Sequence, residues 1–449
     1  MQSACTTGNR VIGSIFLSIL FSINALAQDN SPWSRYGLGD PVPGTNIVNR
    51  AMGGAAAAYA DLQTINFTNP ASYSLFGAQK AIFDVGLDIN NRTIRNNAGL
   101  SYSSANAIIP YLAAGFQIRP QKSKINWGLA FGLRPVTKVS YKIQTGTRLL
   151  TGDSVATQYE GSGGVNQAFA GTAIGYKNFS IGINGGYRFG SKDYTTRVSI
   201  LNDTVPNRYT PGQKEVRNNF GSAFIELGLQ QRIKINENSS ISFGAYGSMQ
   251  TSMRGTKDEV YESFAVGGDG GIISRVDSVS ELKNVRGAIE YPSYFGFGVL
   301  YDFQKNGKLM IAADYVRTNW KNYRFYGSPD ALQNAWQAKA GIQLIPMLTG
   351  DKQRTSYWSR AIYRAGFNLS REPFLINNTE LNSYGFTLGM GLPVGKYGLT
   401  EILYRNHVIN FAFEFGQRGN KNSVLRENFF RLSAGFSLSD IWFIKRKYD

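Results

Sequence analysis

In segment after segment, this chain sets an apolar side chain at every second position and almost nothing bulky between. In 179–189, Phe179, Ile181, Ile183, Tyr187 and Phe189 alternate with Ser180, Gly182, Asn184, Gly186 and Arg188. In 409–416, Ile409, Phe411, Phe413 and Phe415 alternate with Asn410, Ala412, Glu414 and Gly416. The segments 127–134, 384–392 and 430–438 repeat the pattern. Period-two alternation marks a strand with one apolar face. A soluble β-sandwich would carry more charge on its other face. Here that face is Gly, Ser, Asn and Thr with single Arg or Glu residues. This suits a barrel whose greasy face meets lipid and whose small, polar face lines a hydrated lumen.

Fourteen such segments are expected, at 81–95, 108–119, 125–144, 159–177, 179–195, 215–234, 239–256, 285–303, 308–321, 335–346, 358–371, 381–392, 397–416 and 425–440. Their links alternate in length. Short ones centre on Gln121–Lys124, Asn178, Asn236–Asn238, Gln304–Gly307 and Pro393–Lys396. Links of the other parity, such as 196–214 and 257–284, are longer, and only 346–358 breaks the rule. Short turns on one side and long loops on the other are the layout of a bacterial outer-membrane barrel. The fold class read here is all-β, a transmembrane antiparallel β-barrel of about 14 strands with an N-terminal hatch or plug segment.

Composition agrees and excludes alternatives. Of 449 residues, 50 are Gly, 25 Tyr and 28 Phe, with one Cys and one His. A disulfide scaffold, a Cys-based zinc site and a multi-His metal site are therefore excluded. No cofactor is expected. The formal net charge of +17 fits basic loops facing anionic outer-membrane lipid and lipopolysaccharide, and no nucleic acid partner is inferred.

The N-terminus reads as a signal peptide. Arg10 precedes the apolar run Val11–Ile23, and Ala25-Leu26-Ala27 resembles a cleavage site. The run falls short of the ~20 residues that span a bilayer, so cleavage after Ala27 is favoured over an uncleaved anchor. Cys5 leaves with it. The domains expected are 1–27 signal peptide, 28–79 hatch or plug, and 80–449 barrel. Residues 28–79 are rich in Pro, Gly and Ala, and their small side chains would allow close packing inside a barrel.

Met52-Gly53-Gly54-Ala55-Ala56, Asp61 and Asn69-Pro70-Ala71 resemble the N-terminal hatch of the long-chain fatty acid transporter family (FadL/TodX-like). The resemblance implies a 14-stranded barrel plugged by this hatch, with Gly53, Gly54, Asp61, Asn69, Pro70 and Ala71 as hatch or gating residues. The Tyr36–Asp40 block and the Trp442–Lys447 tail differ from the enterobacterial members and are more similar to relatives in the Bacteroidota. There the scaffold also serves in secretion and membrane-assembly machines.

Chemical candidates are few. His407 is the sole His, and no nucleophile motif adjoins it, so a lipid hydrolase is a third-ranked reading and no enzyme activity is expected. The Gly-rich pieces 161–164 and 267–271 lack a phosphate-loop Lys. Arg134, Arg188, Glu226, Glu414 and Arg431 fall on the polar faces of their strands. They are expected to pair inside the lumen, since unpaired confined charge is costly; a polar constriction or carboxylate-binding site is the alternative. The function expected is passive uptake of small hydrophobic compounds through a hatch-gated lumen. The alternative is a structural barrel subunit of an outer-membrane secretion or protein-assembly complex, with protein partners.

Overall fold

The structure is a computed structural model. It describes residues 30–441 apart from 78–79, 119–123, 151, 202–209, 267–271, 348–355, 377–378, 395–406 and 421–422. The signal peptide, the C-terminal tail, the 267–271 glycines and most of the 121–124 turn lie outside the described residues, as does the expected strand portion 397–406.

Fourteen antiparallel strands form the barrel: β1 (Lys80–Asn96), β2 (Ser101–Ile108 and Leu112–Gln117), β3 (Ile125–Arg148), β4 (Ser154–Tyr176), β5 (Phe179–Leu201), β6 (Gly212–Lys234), β7 (Ser239–Ser248 and Thr251–Val266), β8 (Ile272–Tyr291 and Tyr294–Gln304), β9 (Lys308–Thr318), β10 (Ala335–Ile345), β11 (Ile362–Ile376), β12 (Thr379–Val394), β13 (His407–Arg418) and β14 (Leu425–Ile441). Each pairs with its sequence neighbours, and β14 closes the ring on β1 from Leu425↔Asn96 to Ile441↔Lys80.

Burial is inverted relative to a soluble protein. On β1, Asp84, Asp88, Asn90 and Arg92 are buried while Phe83 and Ile89 are exposed. On β5, Asn184 and Arg188 are buried while Ile181, Ile183, Tyr187 and Phe189 are exposed. The exposed apolar side chains form a band around the wall, as expected where lipid replaces water.

Two expectations change. The 196–214 and 257–284 stretches are not simply loops: β5 and β6 run to Leu201 and from Gly212, while β7 and β8 run to Val266 and from Ile272. Beyond the apolar band the outward face meets water, as at the exposed Arg217 and Asn219 of β6, so apolar alternation ceases although the ladder continues. Nor is the inward face a hydrated lining along its length. Ala412 and Ser433 are each only 1% exposed, because other parts of the chain fill the lumen.

Candidate functional site

The described part of the N-terminal segment lies inside the wall. A short helix at Ile47–Arg50 is capped by Asn46, whose side chain accepts from Asn49 N. A 3-10 turn at Pro70–Leu75 is capped by Asn69, with Pro70 at its first position. That position needs no N–H donor, which suits proline. The segment's apolar side chains, including Ile47, Phe67, Tyr73 and Phe76, pack in one cluster with Ala113, Ala130, Phe169 and Ala412 of the wall.

The wall accommodates this backbone through its inward glycines. A Cβ on Gly244 (β7) would sit 1.9 Å from Ala57 O, on Gly128 (β3) 2.0 Å from Tyr73 O, and on Gly366 (β11) 2.1 Å from Gly53 N. On Gly341 (β10) it would meet Met52 O at 2.3 Å, and on Gly182 (β5) the Pro70 carbonyl carbon at 2.4 Å. The inward glycines read as lumen lining are thus where the N-terminal backbone touches the barrel.

The residues picked out by resemblance lie within this contact. Gly53 adopts φ +68° and Gly54 φ +88°, the left-handed region where a side chain is strained. Gly53 N donates to Thr387 Oγ1 of β12 at 2.9 Å. Asn69 Oδ1 accepts from Ala71 N at 3.1 Å, and its Nδ2 donates to Ala57 O at 2.6 Å and Leu229 O at 3.2 Å. Ala71 is fully buried. Asp61 is partly exposed and accepts from Tyr59, Gln63 and Thr64 at 3.2–3.3 Å.

The structure draws all five lumen candidates into ion pairs. Glu226 lies 3.1 Å from Arg188 and 3.8 Å from Arg134. Gln167 and Asn184 also donate to Glu226, at 3.1 and 3.3 Å. Arg134 reaches Gly44 O at 2.9 Å, so this cluster binds the N-terminal segment. Arg431 pairs with Glu414. His407 is exposed at the start of β13, opposite Val394.

Sequence reasoning missed a further charged cluster. Asp40 accepts from Arg418 at 3.0 Å and from Arg92 and Ser31 at 3.1 Å. Glu427 pairs with Arg92 and Arg418 and accepts from Trp33 Nε1. Burial alone would raise the Asp40 carboxyl, but the Arg418 and Arg92 guanidiniums outweigh it and hold it below its usual range. Arg50 pairs with Asp88, and Asp314 accepts from Ala56 N and Ala57 N at 2.6 and 2.7 Å. The available signal was Asp and Arg at inward positions of β1, with Arg50 just ahead of the Ala-Met-Gly-Gly stretch.

Toward the long hairpins, Trp33 and Leu38 pack with Val165, Phe220 and Met253 of the wall. Trp320, Tyr323 and Leu332, from the link between β9 and β10, join the same cluster.

Among the described residues, the wall is interrupted between β2 and β3 and between β6 and β7. Between β2 and β3, rungs run only from Leu112↔Leu133 to Gln117↔Gly128, and the Ser101–Ile108 part of β2 pairs with β1. The N-terminal segment takes the vacated edge of β3, with Asp40↔Lys138 and Pro41↔Thr137 paired and Ser31 N donating to Ser140 O at 2.8 Å. Between β6 and β7, rungs stop at Glu226↔Ser248 and resume at Gly221↔Arg254. An apolar cleft of about 790 Å³ opens there, lined by Phe224, Ile225, Leu227, Tyr246, Met249 and Phe295 among others.

A sequence profile of the BamG family matches residues 10–449. The chain belongs to the BamG family. A search of curated proteins finds no significant match to this BamG-family chain. Its fold is shared with solved transporters. The toluene transporter TbuX of Ralstonia pickettii matches at 16% identity and TM-score 0.51, over 88% of this chain and 98% of TbuX. A FadL homologue of Pseudomonas aeruginosa matches at 12% identity and TM-score 0.55, over 90% of this chain and 100% of that one. The Pseudomonas putida toluene transporter TodX matches at 16% identity and TM-score 0.51, over 90% and 99%. At such identities the likeness is one of fold, so the transporter resemblance holds for the barrel's architecture.

Proposed function

We propose that this BamG-family barrel is a plugged structural subunit of an outer-membrane complex that assembles or secretes other proteins. In this reading, residues 28–79 are the plug and 80–449 the barrel. The filled lumen carries the proposal. A gate must move, and this segment meets the wall through backbone-to-glycine contacts and buried ion pairs on several strands. Opening would have to separate these buried pairs, and any charge left buried without its partner is costly, which disfavours routine opening. Family membership supports the same role.

A second reading is favoured by the apolar cleft between β6 and β7. It would let a small hydrophobic compound leave or enter the wall sideways, as a relative of the hydrocarbon channels whose fold it shares. Gly53, Gly54, Asp61, Asn69, Pro70 and Ala71 would then shape a hatch, and Arg188 and Glu226 a polar floor behind the cleft.

A depletion strain separates the two. The subunit reading expects loss of other outer-membrane or secreted proteins from the membrane proteome, with uptake of toluene and long-chain fatty acids unchanged. Lost uptake with an intact proteome would reject it and leave the transport reading standing.

A further inference from the structure

At the long-hairpin end, outside the apolar band, the barrel holds a cup of about 400 Å³. Small-molecule sites span roughly 300–1,000 Å³. Tyr141, Tyr159, Tyr194 and Tyr326 line it, together with Arg35 and Lys192. The chemistry differs sharply from the apolar cleft, and nothing in the subunit reading uses it.

Two of the cations there, Arg35 and Lys192, form no ion pair with a described residue, although the Asp330 carboxylate attracts Lys192 at longer range. Arg35 is exposed, stacks with its guanidinium 4.6 Å over the Tyr159 ring, and makes no ion pair with a described residue. Lys192 is buried and donates to Gly37 O at 2.7 Å and Arg35 O at 3.3 Å. Two carbonyl dipoles orient its ammonium without cancelling its charge. The one acidic residue in the lining, Asp330, is held by backbone: Gly37 N and Ala331 N each donate to it at 2.7 Å. Lys257, also in the lining, is already paired with Glu259 at 3.0 Å.

The hydroxyls are equally unspent. Tyr326 Oη is buried with no hydrogen-bond partner. The Tyr141, Tyr159 and Tyr194 hydroxyls make no hydrogen bond to another described residue. A phenol both donates and accepts, and its ring face offers apolar area for stacking. An apolar guest would strand these hydroxyls and charges without partners, which is unfavourable. A bare anion would leave the ring faces unused. A sugar ring satisfies the faces and the hydroxyls together, and an anionic substituent satisfies Arg35 and Lys192 through charge-assisted bonds.

We propose that this cup binds an anionic saccharide, a sugar bearing a phosphate or carboxylate. Two sources share that chemistry: the acidic core sugars of lipopolysaccharide in the same membrane, and a free sugar phosphate.

The test is calorimetric titration of the full chain in detergent with four probes: glucose 6-phosphate, glucose, inorganic phosphate, and lipopolysaccharide with a phosphorylated core. Saturable binding of the sugar phosphate or the lipopolysaccharide is expected, with glucose and inorganic phosphate at least about tenfold weaker. Arg35→Gln and Tyr159→Ala should each weaken binding about tenfold, and raised salt should weaken it further. Arg35 is exposed and outside every ion pair, so its variant should fold. Tyr194→Phe removes a single hydroxyl and serves as the conservative check, with unchanged heat-modifiable gel migration as the folding control. Binding of lipopolysaccharide alone assigns the source to the membrane, and binding of glucose 6-phosphate alone to a free sugar. Three outcomes overturn the proposal: no saturable binding of either probe, binding by all three variants as tight as the parent's, or inorganic phosphate binding as tightly as the sugar phosphate. An acidic peptide such as tetraglutamate binding tenfold tighter than any saccharide would overturn it as well.

Discussion

Trp33 donates its indole N–H to Glu427 Oε2 at 2.9 Å, joining two residues 394 positions apart in sequence. Trp33 is 1% exposed and Glu427 2%. The same carboxylate faces Arg92 of β1 and Arg418 of β13. The bond therefore pins the start of the N-terminal segment to the seam where the barrel closes.

Glu427→Ala should leave Arg92 and Arg418 short of a counter-charge in a buried site. A loss of about 3–5 kcal/mol is expected. Trp33→Phe removes one charge-assisted hydrogen bond and should cost about 1.5–3 kcal/mol. Denaturant midpoints of the folded barrel in detergent check both. A Glu427→Ala variant as stable as the parent would show that the cluster does not hold the segment.

Gly244→Ala puts a Cβ 1.9 Å from Ala57 O, whereas Gly185, on β5, has no other atom within 4 Å of such a Cβ. The first substitution should loosen the N-terminal segment, raise its cleavage by added protease and destabilise the fold by about 1–3 kcal/mol. Gly185→Ala should be near neutral. Limited proteolysis followed by mass spectrometry of residues 30–76 separates the two.

Asp40 links stability to pH. Its folded carboxyl sits below the ordinary value because Arg418 and Arg92 outweigh burial. The folded state therefore binds fewer protons than the unfolded state, whose Asp titrates near ~3.9. The stabilisation is full above that unfolded value and is lost as pH falls through the lower folded one. Asp40→Asn should flatten the acid limb of a pH–stability profile and leave its shape above pH ~6 unchanged. An acid limb as steep as the parent's would assign the effect to other carboxylates.

Phe413 is 40% exposed on β13, between Ala412 at 1% and Glu414 at 8%. Phe413→Arg should lower the yield of folded barrel in lipid vesicles, with a cost of about 2–4 kcal/mol if it lies at mid-bilayer. Ala412→Arg is expected to fail too, for a different reason: its side chain would enter the cluster holding Ile47 and Ala51. Refolding into detergent with a wide apolar belt should rescue neither variant.

Val279 is 78% exposed on the long β7–β8 hairpin, and Glu237 lies exposed in a short turn. In the chain lacking Cys5, a Cys at 279 should react with an impermeant maleimide on intact cells, and one at 237 should not. Gel-shift labelling of whole cells and lysates reads this directly, and the opposite pattern would invert the barrel.

The barrel was legible because its cause is local. A strand crossing lipid must present an apolar residue at every second position, and that rule is written in segments such as Phe179–Phe189 and Ile409–Phe415. Strand order followed, since each strand pairs with the next. What fills the barrel was not legible in detail. Gly244 and Ala57, or Trp33 and Glu427, lie far apart in sequence, and no periodicity relates them. The same small inward residues would suit either water or a backbone pressed against them. The breaks at Ile109–Tyr111 and Met249–Gln250 carry little alternation of their own, so they vanished into turns or strand ends. Local alternation thus determined the wall and which face meets lipid. Only the tertiary structure decided that inward glycines receive the N-terminal backbone, because that choice depends on long-range steric fit and on charges that become neighbours only once the ring has closed.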